Sequence, residues 1–433
     1  MTYLNPNLKR TDGLTNNVMK SNIPSIDNKT ARKRLTLLSI TFAFNTLAGS
    51  IVFPFLPIYL HSMRGYSMST VGLIFPVMGL ASIIGSPFSG YLADRFGRRI
   101  VMWAGPVLRS VSHLSLALMV ATHAHFVVIT IGLFFAYFLQ TFFQNSANAY
   151  VTDLIHAKDR TVAFSKIRVG LNIGWMIGPA IGAFLARTPF SLLFMMTGSF
   201  CLLTALTVLR MCPELPLDNA GSTRSGSPQL SFREILRQDR FFLLFLTLCF
   251  LLFLSVSQFV STLSIYATKI VGISKSQLGL LYTLNGALVI MFLVYINKKL
   301  QHNNIFLRIG LGAVIYVLAF LGFGVSLSWY HLILCIGLMT LAEMMSIPAT
   351  TAATGSLAPE DRVGRYMGLY GLVQGIGWSL GPFLGSQLFD VYAGQPLILW
   401  AMLSIAALMA SAGFLWIGFN KLPLRQNQKL MRT

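Results

Sequence analysis

The chain has 433 residues, of which 55% are hydrophobic and only 11% are charged. Because a soluble globular domain carries about 25% charged residues, this composition excludes an ordinary soluble protein and indicates a chain that crosses a membrane many times. The formal net charge of +20 raises the alternative of a nucleic-acid-binding protein. The placement of the charges along the chain tests that alternative.

Apolar stretches long enough to cross a hydrocarbon core of about 30 Å as a helix follow one another along the chain. Twelve are placed near residues 35–60, 69–92, 100–121, 125–150, 163–186, 189–210, 240–268, 277–297, 305–326, 329–353, 364–390 and 394–418. The sequence therefore predicts an all-α membrane protein with twelve transmembrane helices.

The longest polar stretch between two predicted spans covers residues 211–239 and is rich in Ser, Gly and Pro, as linkers are. It divides the spans into six and six. We therefore predict an N-terminal tail (1–34), a six-helix bundle (35–210), the linker (211–239), a second six-helix bundle (240–418) and a C-terminal tail (419–433).

Lysine and arginine collect on alternate connections. Most of the 33 such residues lie in the two tails and in every second connection between spans. The positive-inside rule places those segments in the cytoplasm, so we predict a multi-pass protein of the plasma or inner membrane with both termini cytoplasmic. The basic charge is thus explained by topology, and we expect no nucleic-acid partner.

A charged loop lies between the second and third predicted spans and reads "GYLADRFGRR", residues 90–99. A glycine allows a tight turn at a helix end, and an acid beside three cations can form an exchangeable charge cluster. Adding 203 to the position of Asp94 reaches Asn297, so a second copy of this loop has lost its acid.

A Gly-Pro pair recurs inside two apolar spans. Residues 174–182 read "GWMIGPAIG" and residues 377–385 read "GWSLGPFLG", an offset of 203 positions. The repeat indicates a duplicated unit. Glycines four residues apart allow close helix packing, and a proline bends the helix, so we predict hinge or seal elements. A static packing seam is the alternative.

The loop at 90–99 resembles the loop signature of the major facilitator superfamily, and the stretch at 170–183 resembles the antiporter motif of its drug/proton exporters. The resemblance implies two pseudo-symmetric six-helix bundles, with the first, fourth, seventh and tenth spans around a central cavity. Two features depart from it: the fourth span lacks the arginine common in such exporters, and the first span has no acid.

The resemblance also assigns roles to residues. It implies an ion pair of Arg98 with Asp153 and a place for Asp94 near the start of the eleventh span, where a helix N-terminus favours negative charge. The predicted conformational switch consists of Gly90, Asp94, Arg95, Gly97, Arg98 and Asp153. The predicted hinge residues are Gly174, Gly178, Pro179, Gly182, Gly377, Gly381, Pro382 and Gly385.

Glu343 is the only acid deep inside a predicted span. An ionised carboxylate there costs several kcal/mol, so the side chain must be protonated, paired with a cation or in contact with water. Each of these states fits a proton carrier, and we predict that Glu343 couples protons to transport. A structural glutamate that bonds to neighbouring helices is the alternative.

Arg109 lies within the third span, four residues before His113 and on the same helix face. It is predicted to be an internal charge, with a structural role favoured over a transport role. Polar and aromatic side chains of the spans expected to line the cavity form the predicted substrate site. These residues are Asn45, Tyr137, Gln140, Gln144, Gln258 and Tyr266.

The resemblance and these residues predict a secondary active transporter that exports small organic molecules by proton antiport. A proton-coupled importer or a uniporter of a metabolite is the alternative. An integral-membrane enzyme is disfavoured, because the histidines are scattered and the four cysteines lack metal-type spacing. The predicted partners are a lipophilic or cationic substrate, protons and the lipid bilayer. We predict a monomer without cofactor or metal.

Overall fold

The structure, a computed structural model, describes the backbone of residues 28–155, 160–185, 188–213, 239–359 and 362–420. All regular elements in these ranges are helical, and twelve of them are long. They are α1 (Asn28–Val52), α2 (Ile74–Phe96), α3 (Arg98–Ala121), α4 (Phe126–Leu154), α5 (Arg160–Leu185), α6 (Ser191–Met211), α7 (Arg240–Val256), α8 (Lys275–Lys299), α9 (Ile305–Gly324), α10 (Trp329–Leu357), α11 (Val363–Tyr392) and α12 (Pro396–Asn420).

The predicted all-α membrane fold is confirmed. Within the described ranges, eleven helical spans are long and apolar enough to cross a membrane. The twelfth long helix, α11, is not among them, because its glycines together with Gln374 and Gln387 lower its mean hydropathy. That composition suits a helix with neighbours or a cavity on most sides.

The first and seventh spans are each interrupted at matching places. Helix α1 ends at Val52 and is followed by a short helix, Leu56–Ile58, and a π-helical turn, Tyr59–Met63. After α7 the chain forms a 3₁₀ turn, a short helix and a second π-helical turn, Tyr266–Ile270. Single π turns inside membrane helices are frequent at functional positions, and their recurrence here reflects the duplicated unit.

The two halves repeat the same packing. Helix α1 packs on α5, α2 on α4, and α3 on α6; in the second half α7 packs on α11, α8 on α10, and α9 on α12. The Gly-Pro repeat therefore lies in equivalent helices, α5 and α11. The predicted linker lies outside the described residues from 214 to 238, as do most of the N-terminal tail and most of the C-terminal tail.

The face of the bundle at which α1 begins is called the inner face, and the opposite one the outer face. The halves meet near the outer face. The carboxylate of Asp390, at the end of α11, accepts hydrogen bonds from the backbone N–H of Met68 (3.0 Å) and Ser69 (2.7 Å), which precede α2. Gln387 donates to the carbonyl of Ser69 (3.1 Å).

Toward the inner face, helices α2 and α11 separate. A Cβ placed on Gly364, Gly368, Gly371 or Gly375, all in the inner half of α11, would meet no atom within 4 Å. Asp94, at the inner end of α2, has a side chain that is 75% exposed. The molecule is therefore closed at its outer face and open toward its inner face.

Candidate functional site

A polar cavity of about 330 Å³ lies between α5 and the second half of the chain. Helices α7 to α11 all contribute to its wall. The side chains that give it chemical character are Arg168, Trp175, Asn285, Tyr316, Glu343 and Trp378. We call this space the polar cavity.

Glu343 faces the polar cavity from the middle of α10. Its Oε2 accepts a hydrogen bond from Nδ2 of Asn285 (3.1 Å), and the same amide donates to Oγ1 of Thr340 (2.9 Å). A carboxyl group that lines a cavity can exchange a proton or bind a cation there. Asn285 was missed in the sequence, because an amide in a span gives no signal of its partner.

Arg168 shares the polar cavity with Glu343 and is exposed there. It interacts electrostatically with the Glu343 carboxyl group. Helix α5 begins at Arg160, so Arg168 lies about 12 Å into the helix. Arg109 and Arg168 are therefore both cations inside the bundle.

An apolar crevice of about 480 Å³ lies between α2 and α11, in the region where these helices diverge. Phe53, Met78, Tyr137 and Leu372 line it, and Trp378 belongs both to the crevice and to the polar cavity. Tyr137 is thus the one predicted substrate residue found on the wall of either space.

Arg109 is buried, with 2% of its surface exposed, and it bonds to two of the predicted substrate residues. Its Nη1 donates to Oδ1 of Asn45 (3.1 Å) and its Nη2 to Oε1 of Gln140 (2.9 Å). Nδ1 of His113 lies 2.8 Å from the Arg109 carbonyl oxygen. The two amides hold the guanidinium, so Asn45 and Gln140 join α1, α3 and α4 and do not line either cavity.

Gln258 and Tyr266, two further residues of the predicted substrate site, line neither the polar cavity nor the apolar crevice. Nε2 of Gln258 donates a hydrogen bond to the carbonyl oxygen of Gly381 (2.7 Å). The hydroxyl of Tyr266 donates a hydrogen bond to the carbonyl oxygen of Phe323 (2.7 Å). Both side chains are buried between helices of the second half. Gln258 lies in the 3₁₀ turn that follows α7, and Tyr266 begins the π-helical turn. Gln144, which is half-buried, lines neither space.

A second buried arginine supports α10 just below Glu343. Pro348 lacks an N–H, so the carbonyl of Met344 loses its helical partner. That carbonyl accepts from Nη2 of Arg308 (3.3 Å) and from Nδ2 of Asn297 (3.4 Å), while Nε of Arg308 donates to Met345 (2.9 Å). Arg308 also bonds to Oδ1 of Asn297. We call this arrangement the Arg308 clamp.

The charged loop forms a cluster at the inner face. Arg98 pairs with Asp153 at the end of α4, and its Nη2 lies 3.9 Å from Oδ1 of Asp94. Gly97 has φ of 94°, which favours glycine and allows the sharp turn into α3. Arg95 donates to the hydroxyl of Tyr91 (2.9 Å), and Gly90 has open space around it. The role of this cluster as a switch stays a prediction.

The glycines of the repeat face neighbouring helices in their own half. Gly174, Gly178 and Gly182 lie against α1 and the residues that follow it, and Gly377, Gly381 and Gly385 lie against α7 and its continuation. Pro179 and Pro382 both lie inside their helices. On its other side α5 contacts α8, where Oγ1 of Thr283 donates to the Met176 carbonyl (3.3 Å). Helix α5 thus joins a tight intra-bundle seam to the contact between halves.

Substituting Gly174 with alanine is expected to lower stability by about 1–3 kcal/mol, the usual effect of overpacking. A Cβ at Gly174 would lie 2.8 Å from the carbonyl oxygen of Ala43, and this backbone atom cannot move aside. Gly355→Ala, in α10 with no atom within 4 Å of the new Cβ, is the matched control and should stabilise by about 0.5–1 kcal/mol. Thermal unfolding in detergent would measure both. Equal effects would contradict the close seam.

Comparison with known proteins agrees with this architecture. A family profile described as Major Facilitator Superfamily matches residues 38–382 and 309–431. Quinolone resistance protein NorA of Staphylococcus aureus is 25% identical over 379 residues, covering 87% of this chain and 95% of that protein. Multidrug resistance protein 2 of Bacillus subtilis is 25% identical over 390 residues, covering 87% and 94%.

A solved structure shares the fold. The bacterial homologue of the human lysosomal transporter Spinster, in an inward-facing and unoccupied conformation, superposes with a TM-score of 0.70 at 16% identity, covering 90% of this chain and 96% of that one. These relatives are transporters and not enzymes. The duplicated halves, the cavities between them and the match along most of the sequence lead to one conclusion: the chain belongs to the Major Facilitator Superfamily.

Proposed function

We propose that the protein exports small organic molecules in exchange for protons, with Glu343 as the group that carries the proton. The observation that supports this most strongly is a carboxyl group at mid-helix that faces a cavity of about 330 Å³. An intramembrane acid is costly, and contact with a cavity gives its proton a place to exchange.

The proposed exchange follows from charge. When Glu343 is protonated the carboxyl is neutral, and the amide of Asn285 still bonds to it. A cationic group that enters beside Trp175 and Trp378 is stabilised by the aromatic rings and, more strongly, by an ionised carboxylate. Binding of the cation and release of the proton therefore favour one another.

Alternating access is the proposed means of moving the substrate. The contacts of Asp390 and Gln387 with the segment before α2 hold the outer face closed in this structure. We propose that they break when the outer face opens and that the charge cluster of Asp94, Arg98 and Asp153 then closes the inner face. The names of the two bacterial relatives, a quinolone resistance protein and a multidrug resistance protein, favour export of organic compounds.

Glu343→Gln is expected to reduce proton-driven transport to the background of vesicles without the protein, because an amide cannot release a proton. Inside-out membrane vesicles with an acidic interior and the membrane potential clamped to zero would be tested for uptake of ethidium. Glu343→Asp keeps an acid and should retain part of the uptake.

Three outcomes decide between transport modes. Accumulation of ethidium in inside-out vesicles supports export. Accumulation only in right-side-out vesicles with an acidic exterior would show an importer, and equilibration without accumulation would show a uniporter. Undiminished uptake by Glu343→Gln would contradict the role of Glu343.

A further inference from the structure

The polar cavity holds a cation that the proposed proton exchange does not use. The guanidinium of Arg168 is exposed in the cavity, and within the described residues it forms neither a hydrogen bond nor an ion pair. An arginine placed this far along a membrane helix is costly unless water or a partner solvates it. Its five N–H donors are therefore available to a group that enters the cavity.

Arg168 is part of an ordered face of α5. Asn172 and Trp175 follow it by four and seven residues, so all three side chains point the same way, and all three line the polar cavity. Trp378, from α11, also lines the cavity. Phe53 contacts Trp175 edge to face, with ring centroids 6.2 Å apart, and this contact supports the indole on the side of the apolar crevice.

The polar cavity thus combines three kinds of recognition: a guanidinium on α5, a carboxyl group on α10, and one indole ring on each of α5 and α11. We propose that the polar cavity binds aromatic zwitterions, with the carboxylate of the ligand on Arg168, its ammonium group on Glu343 and its ring system against Trp175 and Trp378. The inference rests on the proposed function and names the substrate class of the same site.

Charge balance is the reason for a zwitterion. A ligand that is only a cation satisfies Glu343 and leaves the guanidinium of Arg168 as a like charge in the same cavity, which opposes binding. A guanidinium binds a carboxylate through two parallel hydrogen bonds, which adds direction to the attraction. A cavity of about 330 Å³ holds a ring system with a charged group at each end.

The probes are an aminomethyl biphenyl carboxylic acid, with its charges at opposite ends, and its methyl ester, which is only a cation. Their binding to purified full-length protein would be measured by calorimetry. We expect the wild type to bind the zwitterion about 10-fold more tightly than the ester, since a charge-assisted bidentate contact is worth at least that factor.

Arg168→Gln should remove this preference by weakening the zwitterion about 10-fold while leaving the ester unchanged or bound more tightly. Arg168→Lys should keep part of the preference. Arg210→Gln is the matched control, because Arg210 is exposed at the end of α6 and lines neither cavity. Equal affinity of the wild type for both probes, or equal loss of both in Arg168→Gln, would overturn the inference.

The same proteins separate this inference from the proposed function. Proton-driven uptake of ethidium that persists in Arg168→Gln but is absent in Glu343→Gln, together with no preference for the zwitterion in the wild type, would overturn the inference and leave proton exchange intact. An Arg168-dependent preference for the zwitterion supports the inference even where transport proves not to be coupled to protons.

Discussion

A Gly72→Cys/Ser386→Cys variant is expected to lose transport completely when oxidised and to recover it on reduction. A Cβ at Gly72 would lie 2.7 Å from that of Ser386, across the contact between the halves near the outer face. A disulfide needs about 3.8 Å between these atoms, so the helices must separate by about 1 Å for the bond to form. Once formed, it prevents the outer face from opening.

The chain offers a control cross-link within one half. A Cβ at Gly322 would lie 4.0 Å from the Cβ of the native Cys335, and both residues belong to the second half. Oxidised Gly322→Cys should therefore transport normally. Ethidium uptake would be measured before and after reduction, with cross-linking verified by mass spectrometry. Normal transport by the fully cross-linked Gly72→Cys/Ser386→Cys variant would show that the outer contact need not open.

Arg308→Met is expected to destabilise the protein by about 1–3 kcal/mol, because it removes a donor from buried acceptors on Asn297, Met344 and Met345, and an acceptor left without any donor costs that much. The guanidinium replaces the hydrogen bond that Pro348 cannot make. Loss of this support should also displace Glu343, which lies five residues before the proline on α10.

Restoring the helical bond tests the Arg308 clamp. Pro348→Ala supplies an N–H to the carbonyl of Met344, so the double variant Arg308→Met/Pro348→Ala should be more stable than the sum of the single effects, by about 0.5–3 kcal/mol. Thermal unfolding of the four proteins would measure this coupling. Strict additivity would mean that Arg308 does not act through the carbonyls that the proline exposes.

The twelve helices and their duplication could be read from the sequence because long apolar runs and repeated Gly-Pro pairs are local signals. The sequence also places Glu343 deep in a span, since an acid in an apolar run is conspicuous. Asn285, the hydrogen-bond partner of Glu343, could not be found from the sequence. It lies on another helix, and the contact depends on how α8 and α10 are rotated toward one another.

Two arginines near the ends of predicted spans give no sign in the sequence that they enter the bundle. Arg168 and Arg308 look like members of basic connections, but the helices begin at Arg160 and Ile305, which carries both side chains into the bundle. Asn45 and Gln140 were assigned to the substrate because their spans were expected to line the cavity. Only the three-dimensional structure shows that Arg109 forms hydrogen bonds with both side-chain amides.

Proton release on substrate binding tests whether Glu343 exchanges its proton for the substrate. Purified protein in weakly buffered detergent solution would be mixed with tetraphenylphosphonium while the pH is recorded, for the wild type and for Glu343→Gln. We expect the wild type to release protons and the variant to release none. Equal release by both proteins would place the exchanging group elsewhere, and binding without release by the wild type would contradict proton exchange.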